Sequence, residues 1–205
     1  MSTTVFFVRH GQTKSNITGY FMGRSNEDIS DLGYAQVRSL SSRLASLPVA
    51  SMYTSPLPRT INTARILAEP HKLELKVLDD LIEIGLGDWQ GLHRDEISQT
   101  WPEIWRQSRI DPSDVTFPNG ESFQQVTERA VRAFNRIVAD NTNRHALAVT
   151  HDAVIRVLAA HVLGTSNSIY RHMEINNASL SIIRVEDDRV RLVTLNDTAH
   201  LDRAT

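Results

Sequence analysis

Two hydrophobic periods alternate along the chain, one typical of strands and one typical of helices. Short apolar or alternating runs predict four strands, at residues 4–8, 49–54, 73–78 and 146–150. Stripes with a period near 3.6 residues predict four helices, at residues 31–47, 59–68, 123–138 and 153–163. Strands separated by helices need crossover connections, which favour a mostly parallel sheet covered on both faces. The pattern predicts an α/β three-layer sandwich with a mostly parallel central sheet flanked by helices.

Two regions depart from this alternation. Residues 88–120 contain three prolines and all three tryptophans of the chain, and they predict short helices and loops that form a small inserted lid. Near the end, two alternating runs at residues 179–185 and 190–195 flank a polar turn at 186–189, which indicates a closing hairpin. No repeat or change in composition marks a boundary, so we expect a single domain over residues 1–205.

Two histidines follow predicted strands directly, His10 after the first and His151 after the run at 146–150. Ligands of open parallel sheets collect beyond the carboxyl ends of the strands, so we expect both side chains at one site. A neutral imidazole, with an ordinary pKa of about 6.5, is a competent nucleophile. Phosphoryl transfer also needs cations around the transferred group, and Arg9 and Arg59 could supply them. The sequence thus indicates a phosphate site.

Composition and charge narrow the class of protein. Hydrophobic residues make up 40% and charged residues 22% of the chain, as in ordinary globular proteins. The formal net charge is −2, and no run of Lys or Arg suggests a nucleic-acid or membrane surface. The chain has no cysteine, which excludes disulfides and a thiol nucleophile. Because no signal peptide or membrane span is recognisable, we expect a cytoplasmic protein without nucleic-acid or membrane partners.

Five separated segments carry a more specific signal. They are residues 8–13 with Asn16, 55–60 with 63–64, 83–89 with Gly91, 119–122 and 149–151. In this order and spacing they resemble the motifs of the histidine phosphatase superfamily, also called the phosphoglycerate-mutase-like family. Five ordered segments are far more specific than one short motif. The resemblance extends over nearly the whole chain and agrees with the predicted α/β fold.

The resemblance implies a phosphomonoester hydrolase that acts through a phosphohistidine intermediate on a small phosphorylated metabolite, with no metal or cofactor. His10 would attack phosphorus, and Glu83 would protonate the leaving oxygen and later deprotonate the attacking water. The residues implied to bind the substrate are Arg9, Asn16, Arg59, His151, Met22 and Gly23. The partner would be a small-molecule phosphate ester.

Three alternatives stay open. A 2,3-bisphosphoglycerate-dependent phosphoglycerate mutase is one, although the 36 residues between Glu83 and Gly120 resemble the short phosphatases. A non-catalytic module that binds a phosphorylated ligand is another, although His10 and Glu83 are both present. A metal hydrolase is the third, but no His-Glu-x-x-His or comparable ligand spacing occurs.

Some positions depart from the family pattern and concern the substrate. Asp152 stands where Gly is usual after the second histidine, and Tyr20 and Met22 replace residues that are commonly Arg and Gln. We therefore expect a less polar substrate side of the pocket. Candidate specificity contacts are Arg24, His93, Arg94 and residues 101–105. Candidate substrates are sugar phosphates, phosphoglycerates, α-ribazole phosphate or a broad range of esters. The sequence does not fix the oligomeric state, for which a homodimer is the candidate.

Overall fold

The computed structural model describes residues 2–187 and 189–201, and in this part of the chain six strands form one sheet. The strands are β1 (Ser2–Arg9), β2 (Val49–Thr54), β3 (Leu75–Val77), β4 (His145–Thr150), β5 (Leu180–Glu186) and β6 (Arg189–Asp197). They lie in the order β3-β2-β4-β1-β5-β6. The pairs among β1 to β4 are parallel, whereas β5 and β6 join antiparallel. The predicted mostly parallel sheet is confirmed.

Helices cover both faces of the sheet. The α-helices are α1 (Ser15–Thr18), α2 (Asp31–Leu44), α3 (Pro58–Ala68), α4 (Arg94–Thr100), α5 (Pro102–Ile110), α6 (Phe123–Asp140) and α7 (Asp152–Val162), and those that pack on the sheet are α2, α3, α6 and α7. On one face, Leu147 and Val149 of β4 pack with apolar side chains of α2 and α3. On the other, Ala146 and Ala148 pack with those of α6 and α7. Because strand side chains alternate between faces, one sheet serves two cores, and the three-layer prediction is confirmed.

The amphipathic stripe of α6 begins at a well-capped N-terminus. The Ser122 hydroxyl accepts from the backbone N–H of Gln125, and the Gln125 side chain accepts from the backbone N–H of Ser122. This reciprocal capping box satisfies two helix-end donors. It places the start of α6 directly after the 119–122 segment, which matters for the site below.

Several predicted boundaries shift. Helix α2 ends at Leu44 instead of residue 47, and a turn bonded from Leu47 N–H to the Leu44 carbonyl leads into β2. Strand β3 is shorter than residues 73–78, because Lys72 takes a left-handed conformation and Leu73 N–H still bonds back to Ala68. The closing hairpin is confirmed as β5 and β6, although Asp188 in its turn lies outside the described residues.

The inserted segment at 88–120 contains α4 and α5 with loops around them, as expected of the lid. Its aromatic side chains pack together: Trp89 is buried, with ring centroids 5.9 Å from Trp105 and 5.0 Å from Phe117. Phe21 joins them from outside the segment, 5.8 Å from Trp105. This aromatic cluster fixes the lid against the main body of the protein. Within residues 2–187 and 189–201, no helix combines the length and apolarity needed to cross a membrane.

Candidate active site

The ends of β1 and β4 bring two histidines together. Arg9 pairs in register with Thr150, and the backbone N–H of His10 donates to the Thr150 carbonyl at 3.1 Å. Directly beyond these positions, the rings of His10 and His151 lie with centroids 5.3 Å apart. The parallel pairing of two strands distant in sequence thus creates the predicted convergence.

The ring of His10 is held in one tautomer. Its Nδ1 lies 2.8 Å from the carbonyl oxygen of Gly11, and because a carbonyl only accepts, Nδ1 must carry the hydrogen. Burial, followed by the nearby charges of Arg59 and Arg9, lowers the pKa of His10 well below its usual value of 6.5. The ring is therefore neutral near pH 7, with its lone pair on Nε2.

His151 is fully buried and is oriented by a hydroxyl group. Its Nε2 lies 2.7 Å from Oγ of Ser55, the residue that follows β2. Its Nδ1 is also buried, and within residues 2–187 and 189–201 it has no hydrogen-bond partner. Burial and the charge of Arg59 lower the pKa of His151 well below its usual value. If Ser55 donates to Nε2, Nδ1 carries a hydrogen that can bind an anion.

Two arginines are anchored to backbone carbonyl groups beside these rings. Arg59 is only 5% exposed and donates to the carbonyls of Gly23 at 2.6 Å and Ser25 at 2.9 Å. Arg9 donates to the carbonyl of Ile175, and its Nε is buried without a partner among the described residues. Carbonyl anchors fix a guanidinium without neutralising its charge. Both cations therefore remain available to an anion.

Glu83 lies on a loop that is tied to the end of β4. The hydroxyl of Thr150 donates to the Leu81 carbonyl at 2.7 Å, and the backbone N–H of Ile84 donates to the Glu83 carboxylate at 2.8 Å. Burial, followed by the charge of Asp152, raises the pKa of Glu83, while the Ile84 N–H, Arg59 and Arg9 oppose this. The result is a carboxyl that stays protonated at higher pH than an exposed glutamate.

A charged network braces this loop. The Glu121 carboxylate accepts from the backbone N–H of Gly85 at 2.9 Å and from two nitrogens of Arg129, at 3.1 and 3.0 Å. Arg24 pairs with Glu121 at 2.9 Å and donates to the Glu83 carbonyl at 2.9 Å. Arg24, considered above as a specificity contact, thus positions the Glu83 backbone and is not among the residues that line the cavity.

A cavity of about 460 Å³ joins these groups. The predicted site residues that line it are Arg9, His10, Asn16, Met22, Gly23, Arg59 and Glu83. His151 is not in the lining but lies against His10. Three donors fix the amide oxygen of Asn16: the N–H and hydroxyl of Thr13, and the side chain of Asn177. The Asn16 amide nitrogen is therefore the end that can donate to an anion.

The rest of the cavity lining combines apolar and charged side chains. Tyr20, Phe21, Trp105, Phe117 and Phe123 line it, which fits the expectation of a less polar substrate side. Of the other specificity candidates, Arg94 lines the cavity, whereas His93 and Trp101 do not. Sequence reasoning missed Arg109, Tyr170 and Arg171, which also line it. They lie outside every recognised motif. For Arg109 the one local signal is its position four residues after Trp105 in the predicted lid.

Asp152, the departure from the family pattern, begins α7 and is heavily bonded. Its carboxylate pairs with Arg156 at 2.9 Å and accepts from the hydroxyl of Tyr170 at 3.1 Å. The nearest Arg9 nitrogen is 3.8 Å away. Asp152 therefore interacts mainly with Arg156 and Tyr170, while its negative charge still raises the pKa of Glu83. Among residues 2–187 and 189–201, no group of three or more His, Asp or Glu side chains could hold a metal ion.

Comparison with known proteins identifies the family. A model of the histidine phosphatase superfamily (branch 1) matches residues 5–198. The chain belongs to this superfamily. Phosphoserine phosphatase 1 of Hydrogenobacter thermophilus is 32% identical over 96% of this chain and 93% of its own length. The adenosylcobalamin/alpha-ribazole phosphatase of Salmonella typhimurium is 27% identical over 95% and 96%.

A solved structure agrees with these matches. Bacillus stearothermophilus YhfR superposes with a TM-score of 0.93 at 29% identity, covering 97% of this chain and 99% of its own. The fold is therefore that of a histidine phosphatase. Together with the relatives, the family match shows that the protein is a phosphatase.

Proposed function

We propose that this phosphatase hydrolyses a small phosphorylated metabolite through a phosphohistidine on Nε2 of His10, without a metal ion. The observation that carries the proposal is the bond from His10 Nδ1 to the Gly11 carbonyl at 2.8 Å. It fixes the neutral tautomer whose lone pair lies on Nε2, in a ring that feels the positive charges of Arg59 and Arg9. A fixed, unprotonated nucleophile beside two guanidiniums is what phosphoryl transfer requires.

In the first half-reaction, the Nε2 lone pair attacks phosphorus and the bond to the leaving oxygen breaks. Arg9, Arg59 and the Nδ1–H of His151 bind the phosphoryl oxygens, where negative charge is spread in the transition state. Glu83 gives its proton to the leaving oxygen. The raised pKa of Glu83 supports this role, because at a given pH more of this carboxyl is protonated than of an exposed glutamate. The alcohol then leaves.

In the second half-reaction, water attacks the phosphohistidine and the phosphorus–nitrogen bond breaks. Glu83, now a carboxylate, takes a proton from the attacking water, so one side chain serves both steps. Inorganic phosphate is released and His10 returns to its neutral form. The cavity of about 460 Å³ falls in the range of small-ligand sites, which supports a metabolite as the substrate.

The substitution His10→Ala tests the nucleophile. We expect hydrolysis of p-nitrophenyl phosphate to fall by at least about 1,000-fold, because the covalent route is lost. His71→Ala is the matched control, since His71 lies in the 3₁₀ turn Glu69–His71 that follows α3 and does not line the cavity. A His10→Ala enzyme that keeps more than a tenth of the activity would contradict the mechanism.

Chelation tests the independence from metal ions. Because the donors in the proposed steps are arginine, histidine and glutamate side chains, we expect full turnover after exhaustive dialysis against EDTA. Loss of turnover that added Mg²⁺ or Zn²⁺ restores would contradict the proposal. Enzyme quenched in alkaline detergent after incubation with ³²P-labelled substrate provides a direct measurement, because a phosphohistidine is stable to base and loses its label when the sample is then acidified.

A further inference from the structure

The cavity that His10 lines also has a cationic wall, formed by arginines outside the proposed phosphate site. Arg109 lies in the last turn of α5, and Arg171 lies in the 3₁₀ turn Asn167–His172 that follows α7. Both line the cavity, together with Arg94 at the start of α4. The proposed phosphate site already uses Arg9 and Arg59, so these outer arginines exceed what one phosphate group needs.

Arg109 and Arg171 are fixed by contacts that leave their charge unneutralised. Arg171 Nε donates to the carbonyl of Ser108 at 2.8 Å, which ties it to the turn that carries Arg109. The Arg109 guanidinium lies over the Trp105 ring at 5.6 Å from its centroid, and that of Arg171 lies 5.6 Å from the Tyr170 ring. Within residues 2–187 and 189–201, neither forms an ion pair with a carboxylate.

The local electrostatics favour an added anion. Burial, together with the positive charges of Arg109 and Arg156, lowers the pKa of Arg171, and only Tyr170 and Asp152 oppose this. Asp152 is already paired with Arg156 at 2.9 Å and bonded to Tyr170. Like charges held close together beside a cavity repel one another, and a bound anion relieves that repulsion.

We propose that the substrate is a phosphomonoester with a second anionic group, which Arg109 and Arg171 bind while the scissile phosphate lies at His10. The inference rests on the proposed function and specifies its substrate class. Guanidinium groups form paired hydrogen bonds to carboxylate and phosphate oxygens alike, so either group fits this wall. The apolar side chains Phe21 and Phe117 line the cavity as well and suit a short carbon skeleton.

Substrate pairs that differ in one group test the inference. We compare kcat/KM for 3-phosphoglycerate with glycerol 3-phosphate, and for propane-1,3-diol bisphosphate with its monophosphate. In at least one pair, the member with the second anionic group should exceed the member without it by about tenfold or more, as expected for hydrogen bonds to a charged group. The first pair reports a carboxylate and the second a phosphate. Equal values within both pairs would overturn the inference.

Variants connect that preference to the two arginines. In Arg109→Gln and Arg171→Gln, the preference ratio of the favoured pair should fall by about tenfold, toward 1, mainly through KM. A ratio cancels any general loss of folded enzyme. Arg106→Gln is the matched control, because Arg106 is exposed on the same helix and does not line the cavity. An unchanged ratio in both cavity variants, or an equal fall in Arg106→Gln, would overturn the assignment.

Binding to the His10→Ala variant separates this inference from the proposed mechanism. Calorimetry on that variant measures binding affinity without turnover. We expect the ester with the second anionic group to have a Kd lower by about tenfold or more than that of the ester without it. Equal affinities would overturn the second-anion inference even if hydrolysis depends on His10. Conversely, preserved preference in binding with no effect of His10→Ala on hydrolysis would overturn the mechanism alone.

Discussion

His10 and Glu83 share a cavity, yet burial moves their pKa values in opposite directions. Removal from water disfavours the charged form of each, so the pKa of His10 falls and that of Glu83 rises. Each shift favours the form that the proposed reaction needs, the neutral base for His10 and the protonated acid for Glu83. Burial is the largest cause of both pKa shifts, so one physical effect acts on both residues.

These shifts predict the pH dependence of hydrolysis. Activity on alkyl phosphates should fall at low pH as His10 becomes protonated, and at high pH as Glu83 loses its proton. Because the pKa of Glu83 is raised, the upper limb should lie above the range of an ordinary carboxyl. An activated ester such as p-nitrophenyl phosphate needs no acid and should lose less on the upper limb. Identical upper limbs for both esters would contradict the acid role.

Asp152 offers a sharper test of the same electrostatics. Its negative charge contributes to the raised pKa of Glu83, so Asp152→Asn should move the upper limb for alkyl phosphates to lower pH. The measurement is kcat/KM against pH, which a purely structural defect would scale without shifting. Asp95→Asn, an exposed carboxylate on α4, should leave the limb in place. A shift to higher pH would contradict the sign worked out here.

At the scale of single residues, the sequence identified the side chains proposed to act on the phosphate better than those that line the rest of the cavity. Arg9 and His10 lie at the end of β1 and Arg59 lies in the first turn of α3, where local pattern and motif coincide. Glu83 lies on a loop, and only the family motif pointed to it. Arg171 could not be found in this way, because its place depends on how a turn after α7 meets the end of α5. That contact is tertiary and leaves no local pattern.

Among the elements, two loops interlock beneath Glu83. A Cβ added to Gly120 would lie 2.4 Å from the Gly85 carbonyl oxygen and 2.8 Å from the Gly87 nitrogen. Gly87 itself has φ +53° and faces the Pro118 carbonyl. The close approach lets Glu121 reach the Gly85 N–H and hold the loop. Glycine is therefore required at both positions for steric reasons.

The substitution Gly120→Ala tests this interlock. We expect it to lower the free energy of unfolding by about 2 kcal/mol or more, because the backbone must move to admit the methyl group. Urea denaturation measures the change. Gly91→Ala is the control: φ is +84° there but no atom lies within 4 Å of the added Cβ, so strain alone should cost about 1 kcal/mol. An equal or smaller loss for Gly120→Ala would contradict the steric argument.

Element types followed from periodicity, whereas element ends did not. The stripe at 123–138 became α6, and the capping box of Ser122 and Gln125 marks its first residue in the structure. Strand β3 shrank to three residues because a left-handed Lys72 delays the extended chain, a backbone choice that the apolar pattern does not encode. The hydrophobic pattern thus predicts whether a segment forms a helix or a strand, whereas local hydrogen bonds determine the residue at which it begins or ends.

For the whole molecule, bound phosphate should raise stability. The site gathers Arg9 and Arg59 around a position that an anion would occupy, and a ligand that binds only the folded state stabilises it by mass action. At 100 times its Kd the gain is about 2.7 kcal/mol, which corresponds to a rise in Tm of about 5–10 °C for a chain of this size.

Scanning calorimetry with phosphate or orthovanadate measures that rise. Potassium chloride at equal ionic strength is the control, and Arg59→Met should lose most of the response because an anchored cation is gone. An equal rise with chloride would contradict a specific anion site.

The architecture as a whole was predictable in class but not in order. Alternating strands and helices indicate a covered parallel sheet, and this was confirmed. The order β3-β2-β4-β1-β5-β6 was not predicted, because which strands pair depends on both cores packing at once. Strand β4 lies between β1 and β2, although 135 residues separate it from β1 and 90 residues separate it from β2.

That placement of β4 has a consequence for how the protein acquires activity. Positions 10 and 151 meet only when β4 inserts between two strands made much earlier on the ribosome. Contacts of such long sequence separation form late and slowly, because closing the intervening loop costs entropy before any pairing compensates for it. A nascent chain that has not yet released β4 therefore displays His10 without its neighbouring histidine. Reactivity toward phosphate esters should arise together with the completed fold.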